Sequence, residues 1–74
     1  LKIKVEGGTH LGMVGGYGVR TFNVKDESEI EQIIREEEDL QDAIKSSYKT
    51  PNGDLIHTLV DENELTLFEW NIIK

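Results

Sequence analysis

Hydrophobic and polar residues alternate at the start of the chain, with Leu1, Ile3 and Val5 on one side and Lys2, Lys4 and Glu6 on the other, the period of a strand with one buried face. Gly7-Gly8 suits the positive φ angles of a tight hairpin turn, and Thr9 to Val14 then reads as the returning strand. Gly12, Gly15, Gly16 and Gly18 bring the count to six glycines between positions 7 and 18, which predicts irregular or bulged structure. Alternation resumes from Val19 to Lys25, where Phe22 and Val24 oppose Thr21 and Asn23.

The period lengthens after Lys25. Asp26 to Ser28 offers N-cap chemistry, and two capping boxes overlap there, Asp26 with Glu29 and Ser28 with Glu31. Ile30, Ile33, Ile34, Leu40, Ala43 and Ile44 follow close to the spacing of an apolar helix stripe, with Glu37 as a gap. The spacing predicts one helix of about five turns, ended by Ser46-Ser47. Thr50-Pro51-Asn52-Gly53-Asp54 combines a proline at fixed φ with a glycine suited to a left-handed angle, a hairpin turn with an adjoining bulge. Ser47 to Thr50 enters that turn and Leu55 to Val60 leaves it. Asp61-Glu62-Asn63-Glu64 makes a second polar turn into Leu65 to Ile73.

The expected fold is therefore a single α+β domain spanning residues 1–74. One amphipathic helix packs on a mainly antiparallel sheet of five to six strands, in the order β-β-(β)-α-β-β-β. In the last strand Phe68, Trp70 and Ile72 share one face while Leu65, Leu67 and Ile73 share the other. One helix covers one face only. The second face is to be covered by the glycine-rich segment, by curling of the sheet, or by another molecule, which makes a homodimer through this face one expectation. A hydrophobic fraction of 36 % in 74 residues is a lean core, and such cores often gain from association.

Charge changes the picture more than composition does. The chain has 15 acids and eight bases, a formal charge of −7, the wrong sign for holding nucleic-acid phosphates directly. Counted over the predicted helix, Asp26, Glu27, Glu29, Glu31, Glu36, Glu37, Glu38, Asp39 and Asp42 oppose only Arg35 and Lys45, and the remainder of the chain is neutral. Solvated acidic helix faces are common, and glutamate is a good helix former. A mid-helix cluster from Glu36 to Asp39 gains nothing from the macrodipole, however, and its like charges repel. A field gathered on one rod would steer a basic partner to it. Small acidic phage and plasmid proteins that imitate a DNA phosphate row, and so block nucleases, restriction systems or polymerases, offer an analogy in charge and size.

Catalytic and metal chemistry find no support. His10 and His57 are the only imidazoles, cysteine is absent, and no zinc spacing occurs. Asp61 to Glu64 lacks the glycine and terminal glutamate of a calcium loop. Ser28, Ser46 and Ser47 read as helix ends rather than nucleophiles. The glycine-rich stretch lacks the Lys-Ser/Thr end of a phosphate loop. Gly12-Met13-Val14-Gly15 resembles the short loop of KH domains without the flanking helix or nearby bases. Phe68 and Trp70 read as core rather than as a base-stacking surface. No run of apolar residues approaches the length of a membrane span, and no basic start, apolar stretch and cleavage site follow Leu1, so a cytoplasmic protein is expected.

The reading that follows is a cytoplasmic, non-enzymatic protein–protein interaction module without cofactor or metal. It would inhibit or regulate a larger basic protein, such as a nucleic-acid-binding enzyme, and would touch neither nucleic acid nor membrane directly. Glu29, Glu36, Glu38, Asp39 and Asp42 are its candidate partner-binding residues. The alternative is a protein that binds or sequesters a small nucleotide-like ligand through His10, Gly12, Gly15, Gly16, Tyr17 and Gly18, with a homodimer as one form of it.

Overall fold

A computed structural model describes residues 1–9 and 18–73. Its elements are β1 (Lys2–Gly8), β2 (Gly18–Asn23), α1 (Ser28–Glu37), β3 (Ile44–Lys49), β4 (Leu55–Val60) and β5 (Thr66–Ile73). The five strands form one antiparallel sheet in the order β2-β1-β5-β4-β3. This is an α+β architecture with a single helix among the described residues. The expected return strand from Thr9 to Val14 lies almost wholly outside them.

Cross-strand pairing puts Ile3 and Val5, Phe22, Leu59, and Phe68 and Trp70 on the same side of the sheet. Ile30 and Ile34 of the helix close over them, and Val24 completes the cluster, with Ile33, Leu40, Ala43 and Ile72 packed at its margin. The alternation of the first and last strands is thus realised as expected.

Gly7-Gly8 is not a turn. Both residues belong to β1, where Gly7 pairs with Gly18 and with Trp70. A Cβ on Gly7 would stand 3.2 Å from the Phe68 ring, so the missing side chain serves a close approach rather than a left-handed angle.

The helix is half its expected length. It ends at Glu37, and the chain leaves it through a left-handed Asp39 with φ 56°. The Leu40 amide returns to the Arg35 carbonyl at 2.8 Å, the long bond of a Schellman cap, and Leu40 packs against the core as the accompanying apolar contact. Glu36 to Asp39 therefore lies at the C-terminal end of the helix, where the macrodipole opposes negative charge and extension is disfavoured. A second brace comes from Arg35, whose Nη1 donates to the carbonyls of Leu40 (3.1 Å), Gln41 (3.0 Å) and Ala43 (2.7 Å).

At the other end, the Asp26 and Glu29 capping box is half formed. Glu29 accepts from the Lys25 and Asp26 amides, but Asp26 accepts from the amide and hydroxyl of Ser28. Those two bonds hold the Asp26 carboxyl below its usual range. The Ser28 and Glu31 box does not form, because Glu31 accepts from Arg35 Nε at 3.0 Å, one turn on.

Ile44, Lys45 and Ser46, expected on the helix, open β3 instead. They pair with Val60, Leu59 and Thr58 in a register that runs unbroken to Lys49 and Leu55. The hairpin between them closes as expected, with Gly53 at φ 89° and the Thr50 amide on the Asp54 carbonyl at 2.9 Å. The next hairpin repeats this geometry with Glu64 at φ 65° in the glycine position. There the Asp61 amide donates to the Leu65 carbonyl at 3.0 Å, and Asp61 Oδ1 accepts from the amides of Asn63 and Leu65.

Candidate functional site

Because Ile44 pairs with Val60, the segment before β3 and the segment after β4 emerge at the same end of the sheet. The first carries Asp39 and Asp42, the second Asp61 and Glu62. Together they line an open groove of about 510 Å³, whose other lining residues are Leu40, Gln41, Ala43, Ile44 and Leu67. Among the described residues its lining holds no lysine, arginine or histidine, although Arg35 reaches the backbone behind one wall. Each wall is a built turn, one held by Arg35 and the Schellman bond, the other by the Asp61 side chain.

Of the five candidate partner-binding residues, Glu29 and Glu36 lie on the helix, and Glu38, Asp39 and Asp42 follow its end. Glu29 is engaged at the helix start, and Glu36 accepts from Gln32 at 3.1 Å. Glu38 borders a cleft of only about 40 Å³ between the helix end and β2. Asp39 and Asp42 are the two that come together, in the groove. Of the remaining helix acids, Glu37 forms a two-pronged pair with Arg20, the second contact at 3.1 Å. That bond raises the Arg20 guanidinium and lowers the Glu37 carboxyl. Because the helix ends at Glu37, the acids expected on one rod are divided between the helix and the segment that follows it.

Asp61, Glu62 and Leu67 were not legible as site residues. Asp61 and Glu62 read as an ordinary polar turn, and only the pairing of β3 with β4 makes them neighbours of Asp42. Of the alternative ligand-binding residues, His10, Gly12, Gly15, Gly16 and Tyr17 lie outside the described residues. Gly18 opens β2 at φ 95°, with open space where a Cβ would be.

A second constellation lies on the helix side of the sheet, on β3, β4 and β5. His57 stacks on Trp70 with ring centroids 5.3 Å apart. Lys45 Nζ sits 3.0 Å from His57 Nδ1 and 5.1 Å from the Trp70 ring centre. Burial lowers both Lys45 and His57; Lys45 lowers His57 further, while Glu27 and Glu31 oppose that shift. An adjoining groove of about 610 Å³ runs past His57, Lys49, Asp54, Leu55 and Asn71, with charges of both signs and no single chemistry. On the opposite sheet face, Tyr48 donates to Glu69 at 3.0 Å. Burial and that bond raise the Tyr48 phenol.

Among the described residues no cluster of histidine or carboxylate side chains is arranged to hold a metal ion, and no helix is long and apolar enough to cross a membrane. Compared with protein families, curated proteins and solved structures, the chain matches none.

Proposed function

We propose that this chain is a small acidic interaction module that occupies a basic surface of a larger protein and thereby inhibits or regulates it. The observation that carries the reading is that Asp39, Asp42, Asp61 and Glu62 line one groove, with no basic side chain lining it among the described residues. Four carboxylates on two turns act as a local field, while Glu31 and Glu37 of the helix are paired with Arg35 and Arg20. Such a field speeds encounter with a basic partner and rejects acidic ones. A target whose basic surface otherwise holds nucleic-acid phosphates fits this reading, since the acidic groove would compete for the same cations.

The test is capture of binding proteins on the immobilised chain at increasing ionic strength, beside a D42K/E62K variant. The captured partner should be released as the Debye length falls from about 10 Å toward 3 Å between 0.1 and 1 M salt, and the variant should fail to retain it at any salt. A partner held equally well by both forms and at all salt concentrations would remove the mechanism. Exposed Ile44 and Tyr48 on the second sheet face keep the homodimer within the proposal, and solution mass by light scattering reads it directly.

A further inference from the structure

We infer that the groove between the α1–β3 segment and the β4–β5 turn takes a short partner segment in which an apolar side chain is flanked by lysines or arginines. The inference rests on the acidic-module reading and adds to it what the partner must carry. Leu40, Ala43, Ile44 and Leu67 line the groove between the acids. Ile44 is 54 % exposed although it stands on a strand paired to Val60, and Leu65, 65 % exposed, lies at the end of the neighbouring turn. A purely electrostatic contact needs no apolar surface, and an exposed isoleucine beside half-buried leucines in a groove lined by carboxylates rewards an occupant that removes it from water.

Charge decides the rest of the occupant. Asp39, Asp42, Asp61 and Glu62 flank the apolar lining, so an apolar group bordered by acids would be repelled and one bordered by bases attracted. The walls are already ordered. Arg35 holds three carbonyls of one, and Asp61 Oδ1 holds two amides of the other, at 2.8 and 2.9 Å. Binding here would therefore spend little on ordering the receptor.

The experiment uses the full chain and three fluorescent nonapeptides. The first has a central leucine among lysines and arginines, the second has serine in place of that leucine, and the third keeps the leucine but replaces the bases with glutamate. At low salt the leucine peptide should bind at least tenfold more tightly than the serine peptide, about 1.4 kcal/mol, and the glutamate peptide should not bind. Amide shifts on binding should centre on Asp42, Ile44, Glu62 and Leu67. Ile44→Ser should erase the leucine preference, and Asp42→Lys should weaken both basic peptides, each variant keeping the Trp70 fluorescence of the native fold. Equal binding of leucine and serine peptides, or shifts centred elsewhere, would overturn this inference while leaving the acidic-module reading to the salt test above. Absence of binding by either basic peptide would also overturn it. Partner capture indifferent to salt and to D42K/E62K would bring down the underlying reading independently.

Discussion

Arg35 is the residue on which the loop leading to the groove depends, and replacing it with methionine tests that dependence. The side chain is only 13 % exposed. Methionine keeps an apolar stem of similar length and deletes the guanidinium. Lost with it are the half-buried bonds to the Leu40 and Ala43 carbonyls, the exposed bond to Gln41, and the pair with Glu31. Hydrogen bonds to a charged donor contribute roughly 1.5 kcal/mol or more each when sheltered. Water replaces the bond to Gln41 at little cost, and an i, i+4 pair of this kind adds only about 0.3–0.5 kcal/mol. The expected loss is therefore about 3 kcal/mol, a large share of the roughly 4–11 kcal/mol that a chain of this length commands. Urea unfolding followed by the fluorescence of Trp70, the only tryptophan, reads it. With a slope of about 1 kcal/mol per M for so small a protein, the midpoint should drop by about 3 M. Glu31→Gln should reproduce only a small part of the effect. A loss under about 0.5 kcal/mol for Arg35→Met, or equal losses for the two variants, would refute the brace.

Gly7→Ala should destabilise by about 1 kcal/mol, because the new methyl would stand 3.2 Å from the Phe68 ring and the ring must shift by a few tenths of an ångström; thermal unfolding measures it, and a neutral result would mean the ring yields freely. Glu64→Gly should stabilise by about 0.5–1 kcal/mol by removing the left-handed cost of a side chain at φ 65°, with a fall in midpoint arguing that the Glu64 side chain does something else. The folded His57 binds a proton less readily than the unfolded chain, first because it is buried and second because Lys45 faces it, with Glu27 and Glu31 opposing. Below the ordinary histidine value of about 6.5 the unfolded state thus binds more protons. Its contribution to stability is present above that pH, declines as pH falls through 6.5, and levels off below the folded value. His57→Gln should flatten the stability profile between pH 7 and 5, and a profile unchanged by the substitution would contradict the assignment.

Period-two alternation in Leu1 to Glu6 and at Phe68, Trp70 and Ile72 of the last strand, together with the Pro51-Asn52-Gly53 turn that Leu55 to Val60 leaves, made the antiparallel sheet legible, because strand faces and turn angles are local properties of neighbouring residues. The helix start was legible in Asp26 to Glu29 for the same reason. Its end was not. Leu40, Ala43 and Ile44 keep a spacing compatible with a helix, and the choice between another turn of helix and an edge strand is made by what they meet: Arg35 reaching the carbonyls of Leu40, Gln41 and Ala43, and Val60 offering Ile44 a ladder. Local periodicity carries no term for either contact. Shortening the helix dispersed the acids that composition placed on one rod, and pairing β3 with β4 collected Asp39, Asp42, Asp61 and Glu62 from two segments roughly 20 residues apart. Net charge belongs to the chain, but the direction of a field is set by where the backbone carries each carboxylate, and that is a property of the folded state alone.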